Sequence, residues 1–325
     1  MNRTCLIQWI CSIICIGASI GLPASVSAEE SKGYAGPIID MHNHAGRSGP
    51  LTQDGKPIPL PCYPAPCDSR PGMARSGEDV FRMTLEAMDQ NNIVLGFLSG
   101  TKLEYTFEWV ERAPGRFIAS PWVCDPAYVD FERIEAEYEA GRLQGMGEVG
   151  SQYCGLAIDD RSLEKVFALA DQFDVPVLVH SHGGGKPGSE RFRIEIGRPT
   201  RIEEVLVKYP DLRLYIEDAG FPYLEDTVAL MYHYPNVYGD LSNISWMSPR
   251  KVFYKYLKSL IDYGLEKRLM FGTDAANRPE AIRMAIDAIE SATFLTDAQK
   301  ANIFYQNAAR FLRLSDEEIA GHHKQ

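Results

Sequence analysis

The sequence predicts a distorted (β/α)8 barrel of the TIM type. Short apolar runs recur along the chain, amphipathic stretches lie between them, and chemically active side chains gather at the carboxyl ends of the runs. The runs are "GPIIDMH" near residue 36, "NIVLGFLSG" at 92–100, "RFIASPWVC" at 116–124, "LQGMGEVG" at 143–150, "VPVLVHSH" at 175–182, "LRLYIED" at 212–218, "NVYGDLS" at 236–242 and "RLMFGTD" at 268–274. Between them, segments such as Ser162 to Phe173 and Arg201 to Tyr209 place apolar residues three and four apart, the spacing of one helix face. Strand and helix alternating in this way call for a parallel sheet closed on itself, with an open doubly wound sheet as the competing arrangement. Near the end, "NAARFLRL" sets Ala308, Phe311 and Leu312 at helical spacing, so a last helix is expected to close the barrel.

The 325 residues are 45% hydrophobic and 24% charged, which excludes a disordered chain. The first residues pair a lone Arg3 with an apolar run from Cys5 to Leu22 and small residues ending at Ala28. This reads as a secretory signal over 1–28, followed by one domain over 29–325 that is exported to the periplasm or the medium; an uncleaved anchor is the alternative. Loss of Arg3 with the signal leaves 32 of the 33 basic residues against 44 acidic ones. Such a surface argues against nucleic acid and anionic membrane as partners and leaves a small molecule; no stretch of the sequence establishes an interface, and a homodimer is left open. Four cysteines remain: Cys62 and Cys67 in a Pro-rich loop that a short bridge would rigidify, and Cys124 and Cys154 near strand ends, read as buried thiols. The Pro- and Gly-rich insert from Arg47 to Ser76 is long for a first β-to-α connection and is read as a lid or substrate wall.

A barrel presents the carboxyl ends of its strands to the ligand, and the polar residues fall there. In "IIDMHNH", His42 and His44 are two apart on a strand, so both imidazoles point to one side and can chelate. Glu148 ends the fourth run, His180 and His182 the fifth, Glu217 and Asp218 the sixth, and Asp274 the eighth. Imidazoles and carboxylates converging in this number suit one Zn²⁺, or Mn²⁺, Fe²⁺ or Co²⁺, held by His42, His44, His180 and Asp274 with Glu148 as a further contact. His182, on the same side as His180, is assigned to the substrate or to catalysis. Arg47, Tyr153 and Trp246 are candidate substrate-binding residues, because they follow or end strands; Trp122 is placed with them. The paired His322 and His323 lie in a polar tail and are read as solvated.

Seven segments in order, "IIDMHNH", "GEVGSQYCGLAIDD", "VPVLVHSH", "AGFPYLED", "NVYGDLS", "MFGTD" and "NAARFLRL", resemble the amidohydrolase superfamily, in the amidohydrolase-related branch (amidohydrolase 2) that includes aminocarboxymuconate semialdehyde decarboxylase. The resemblance runs from about residue 37 to 314. It implies a distorted barrel and one catalytic metal on His42, His44, His180 and Asp274. It also implies a metal-dependent hydrolase of an amide, ester or lactone in which Asp274 takes a proton from water; a non-oxidative decarboxylase or an inactive exported binding protein are the alternatives. The chain departs from the family at the sixth strand, where a His-Ala-Gly-x-Pro pattern is replaced by "EDAGFP". Asp218 is assigned to the histidine position, as ligand or base, with His182 as the substitute for its task.

Overall fold

The computed structural model describes residues 33–46, 62–64, 76–184 and 190–324. The expected signal segment, Arg47, Cys67 and most of the Pro-rich insert lie outside the described residues. Among the described residues the eight strands are present. β1 (Ile38–Ala45), β2 (Ile93–Gly100) and β3 (Phe117–Pro121) pair in parallel in that order, and so do β4 (Met146–Val149), β5 (Val177–Val179), β6 (Leu214–Ile216), β7 (Val237–Asp240) and β8 (Leu269–Met270).

Two seams join these sets into a ring. Beyond β3, Val123 N–H donates to Glu148 O at 2.9 Å and Gly150 N–H donates to Val123 O at 2.7 Å. Across β8 and β1, Met41 N–H donates to Phe271 O at 2.9 Å and Asp274 N–H donates to His42 O at 2.8 Å. The ladder is interrupted at both seams, and this is the distortion of the barrel. The second seam also fixes the site, since it ties the backbone of His42 directly to that of Asp274.

Strand alternation divides the core into two layers. Ile39, Met41, Phe97, Leu178, Tyr215 and Met270 fill the inside of the ring, while Ile38, Leu98, Val177, Leu214 and Ile216 meet the surrounding helices. Tyr215 donates its hydroxyl to Met41 O at 2.7 Å, so its one polar atom is satisfied inside the barrel. Tyr305, Ala308 and Phe311 join the inner layer with Leu312 beside them, as the spacing of "NAARFLRL" predicts. Arg213, at the start of β6, donates to Phe311 O at 2.9 Å, which places this closing helix across the amino ends of the strands. The carboxyl ends are left for the site. Among the described residues no helix is long and apolar enough to cross a membrane.

Cys124 and Cys154 are not free thiols. They form a disulfide with a Cα–Cα separation of 5.7 Å. The reading as buried thiols fails because β3 and β4 are neighbours in the ring, so the segments after them meet although 30 residues separate the two cysteines. Cys62 is also disulfide-bonded. Closing a loop of that length restricts the unfolded chain by about 3 to 4 kcal/mol. Replacing Cys124 and Cys154 together by Ala should therefore lower the unfolding free energy by about that amount, read from the shift of the urea midpoint; an unchanged midpoint would show that the bond does not form.

Candidate metal centre

The site is assembled where the strands end. His42 and His44 leave β1 on the same side, and their Nε2 atoms approach to 3.1 Å. Asp274, beyond β8, brings Oδ1 to 3.0 Å from His44 Nε2 and 3.9 Å from His42 Nε2. Glu148 on β4 adds Oε2 at 3.1 Å from His44 Nε2 and 3.7 Å from His42 Nε2. Gly147 allows this: it holds φ at 100°, and a Cβ there would collide with the Leu178 carbonyl.

Each ring is held from behind. His42 Nδ1 lies 3.2 Å from Asp240 Oδ2, and His44 Nδ1 lies 3.0 Å from Ser99 Oγ. Asp240 is fixed in turn, because its Oδ1 accepts from Asp218 N–H at 2.9 Å and from Ser242 Oγ at 2.7 Å. These contacts aim both Nε2 atoms inward. Asn243 donates to Asp274 Oδ2 and, at 3.4 Å, to Glu217 Oε1, joining the carboxylates of two strands.

On the β5 and β6 side, His180 Nδ1 is 2.5 Å from Glu217 Oε2 and 3.1 Å from Glu148 Oε1. His182 Nε2 faces Glu217 Oε1 at 3.2 Å. Tyr153 lays its ring over His180 with centroids 4.2 Å apart, and the Cys124–Cys154 bond anchors the adjacent residue. Burial raises the Tyr153 hydroxyl well above its ordinary pKa, helped by the nearby carboxylates of Glu217, Glu148 and Asp274.

The electrostatics follow from crowding. Burial disfavours the charged imidazoles, but the carboxylates around them outweigh it. His42 is held well above the usual range by Asp274, Asp240, Glu148 and Glu217; His44 is raised to about 9 by Asp274 and Glu148, and His180 to about 10 by Glu217 and Glu148. Glu148 and Glu217 are disfavoured as anions by burial, yet the histidines hold both below the normal carboxylate range. The cluster therefore keeps its acids ionised and requires positive charge among them.

The donor set fits a divalent ion. Nitrogen and oxygen donors about 2.0 to 2.2 Å from a tetrahedral ion lie about 3.3 Å from one another. The His42, His44, Asp274 and Glu148 edges given above run from 3.0 to 3.9 Å. Glu148 Oε1, His180 Nε2 and His182 Nε2 are buried without a hydrogen-bond partner.

Several sequence expectations shift. His180 groups with His182 and Glu217, and a third set of His42, Glu148 and Glu217 overlaps both that group and the one of His42, His44 and Asp274. Asp218 does not enter the cluster: its Oδ1 accepts from Ile244 N–H at 2.8 Å and from Ser242 Oγ at 3.2 Å, and Glu217 faces the histidines instead. The chain turns left-handed after β6, with φ of 52° at Asp218 and 46° at Ala219, so strand alternation no longer tells which of the two acids points inward. Burial raises Asp218 to about 7. Trp246 is buried, belongs to the core and donates Nε1–H to Thr273 O at 2.8 Å, away from a substrate-facing position. Asp240, Ser99 and Asn243 were not singled out from sequence. Asp240, polar at the end of an apolar run, carried the same signal as Glu148.

Two cavities flank the cluster. One of about 650 Å³ is bordered by His44, Val80, Tyr105, Lys102 and Arg278. The other, of about 280 Å³, has His182 and Asp218 at one end and Phe221, Pro222, Ile244 and Val252 on its walls.

The family profile described as Amidohydrolase matches residues 39–314. The chain belongs to the amidohydrolase family. Its barrel is similar to an uncharacterised TIM-barrel protein of Bordetella bronchiseptica, with a TM-score of 0.61 at 16% identity, covering 85% of this chain and 98% of that one. It is similar to a probable 2-pyrone-4,6-dicarboxylic acid hydrolase of Acinetobacter baumannii solved with citric acid, with a TM-score of 0.57 at 13% identity, covering 85% and 99%. It is also similar to a 5-carboxyvanillate decarboxylase of Novosphingobium aromaticivorans solved with manganese, with a TM-score of 0.56 at 15% identity, covering 86% and 98%. At these identities the likeness is one of fold. Over 134 residues, 37% of this chain, it is 22% identical to protein fluG of Emericella nidulans and spans 16% of that protein.

Asp240→Asn offers a direct check on how this amidohydrolase centre is held. An amide nitrogen facing His42 Nδ1 would donate where the carboxylate accepts and leave the ring proton on Nε2, the atom meant for the ion. Metal affinity, measured by competition with a fluorescent chelator, should fall about 10- to 100-fold. Unchanged affinity would mean that His42 does not ligate through Nε2.

Proposed function

We propose that the chain is an exported, metal-dependent hydrolase that cleaves an amide, ester or lactone bond of a small molecule, with the ion held by His42, His44, Asp274 and Glu148. The observation that carries this reading is the setting of Asp274. Its Oδ1 sits 3.0 Å from His44 Nε2, and its Oδ2 accepts from Asn243. A carboxylate fixed at both oxygens at the edge of a donor set can receive a proton in one defined place.

When bound, a divalent ion supplies Lewis acidity, drawing electron density from a carbonyl and acidifying water beside it. Asp274 takes the proton of the attacking water and returns it to the leaving group. Its side chain is 18% exposed against 5% for Glu148, which suits a group that must exchange protons with substrate. His42 and His44 bind as neutral rings, their second nitrogens turned to Asp240 and Ser99. The cavity beside His44 has room for a small molecule, and Lys102 and Arg278 on its wall suit a substrate carrying a carboxylate. The Cys124–Cys154 bond supports an oxidising compartment and so the exported location. Zn²⁺, Mn²⁺, Fe²⁺ and Co²⁺ all suit these donors.

The same two cations support a second reading, a non-oxidative decarboxylase, in which they would anchor the carboxylate that is lost. The two reactions separate in one assay. Protein loaded with Mn²⁺ or Zn²⁺ and given a panel of carboxylated lactones, esters and amides should release a proton and a new acid. Carbon dioxide in place of the acid would establish the lyase. Asp274→Asn, assayed at saturating metal, should lose about 10²- to 10⁴-fold in kcat on the hydrolysed substrate. Retention of full kcat would remove Asp274 from the role of base.

A further inference from the structure

We infer that the smaller cavity, about 280 Å³ beside His182, receives the apolar acyl group of the substrate. The substrate class is then an amino acid or hydroxy acid whose amine or hydroxyl is acylated by a branched or aromatic acid. This inference rests on the hydrolase reading and gives it a direction.

The cavity is built for part of a molecule. Small-molecule pockets run from about 300 to 1,000 Å³, so this one takes one group of a substrate and not the whole. Its walls are Phe221, Pro222, Ile244, Pro249 and Val252. The polar residues at its end have partners within the protein: His182 Nδ1 accepts from Gly184 N–H at 3.0 Å, and Asp218 Oδ1 accepts from Ile244 N–H at 2.8 Å. Val252 is 40% exposed on the rim, and an apolar group in the cavity would cover it and be favoured by that burial.

The walls are set before anything binds. Gly183 N–H donates to Phe221 O at 2.8 Å, and a Cβ at Gly183 would lie 2.5 Å from Pro222 Cδ, so the segments after β5 and β6 are in direct contact. Phe221 meets the ring of Tyr256 edge-on, with centroids 5.1 Å apart. Asp218 holds the facing wall, because its bonds to Ile244 N–H and Ser242 Oγ tie the segment after β7 to the turn after β6. A neutral imidazole has one acceptor nitrogen and could not take both bonds. The carboxylate at the family's histidine position is thus a positioning residue for the pocket.

The site also fixes which half of the substrate goes where. Asp274 returns its proton to the leaving group and stands 3.0 Å from His44; Ala276, Asn277 and Arg278, which follow it in the chain, line the larger cavity with Lys102. The leaving half therefore lies on that side and carries the carboxylate that the two cations suit. The acyl half lies toward His182. The water oxygen bonds to the acyl carbon, the C–N or C–O bond breaks, and the proton from water passes through Asp274 to the departing nitrogen or oxygen.

Full-length protein loaded with Mn²⁺ is assayed on N-phenylacetylglycine, on N-acetylglycine and on the benzylamide of succinic acid, in which the carboxylate sits on the acyl half and the apolar group departs. The value of kcat/KM for N-phenylacetylglycine should exceed the other two by about 10- to 200-fold. Val252→Asp should cut that advantage about 10-fold through KM. Asp218→Ala should lose the advantage, and Asp218→Asn, which keeps an acceptor oxygen, should retain it. Equal rates on the phenylacetyl and acetyl compounds, faster cleavage of the reversed amide, or an advantage unchanged in Val252→Asp would each overturn the proposal. Absence of hydrolysis on all three counts against the hydrolase reading instead, and calorimetric binding of the two acylglycines then decides the pocket. Binding of the phenylacetyl compound about 10-fold tighter in the wild type, and level with the acetyl compound in Val252→Asp, supports it; equal binding in the wild type overturns it.

Discussion

Glu148, Glu217 and Asp274 bring three carboxylates together at the barrel mouth, two of them buried, and the arrangement is stable only if positive charge lies among them. Without an ion that charge must come from the histidines, and the raised values of His42, His44 and His180 express it. With an ion the protons leave and the same rings become ligands. The surrounding polar contacts serve this exchange: Asp240 and Ser99 fix the rings of β1, and Asn243 joins Asp274 to Glu217.

The barrel supplies what the cluster needs. Its donors come from β1, β4, β5, β6 and the segment after β8, which are far apart in sequence and adjacent only because the ring closes. The seam from His42 O to Asp274 N–H is the shortest path between the first and last of them. Tyr153 and the disulfide beside it hold the loop after β4 against His180.

Much of this is legible in the sequence, because strand geometry has a fixed period. The eight strands, the closing helix and the shared direction of His42 and His44 follow from it, while Glu148 and Asp274 were legible as polar residues at the ends of apolar runs. What is not legible lies where the period stops or where contact is through space. At Asp218, which the family pattern puts at the histidine position, the backbone turns left-handed, and Glu217 faces His180. Cys124 and Cys154 meet only once β3 and β4 are neighbours. Trp246, read as a pocket wall, was drawn into the core by its indole contact with Thr273 O.

X-ray absorption at the metal edge on protein loaded with one equivalent of Zn²⁺ tests the centre most directly. The expected result is a shell of nitrogen and oxygen at about 2.0 to 2.2 Å with the outer scattering of imidazole, and a Zn²⁺ affinity that falls in His42→Ala with His44→Ala. A fully hydrated ion, or an unchanged Zn²⁺ affinity after both substitutions, would contradict the assignment of His42 and His44 as the ligands.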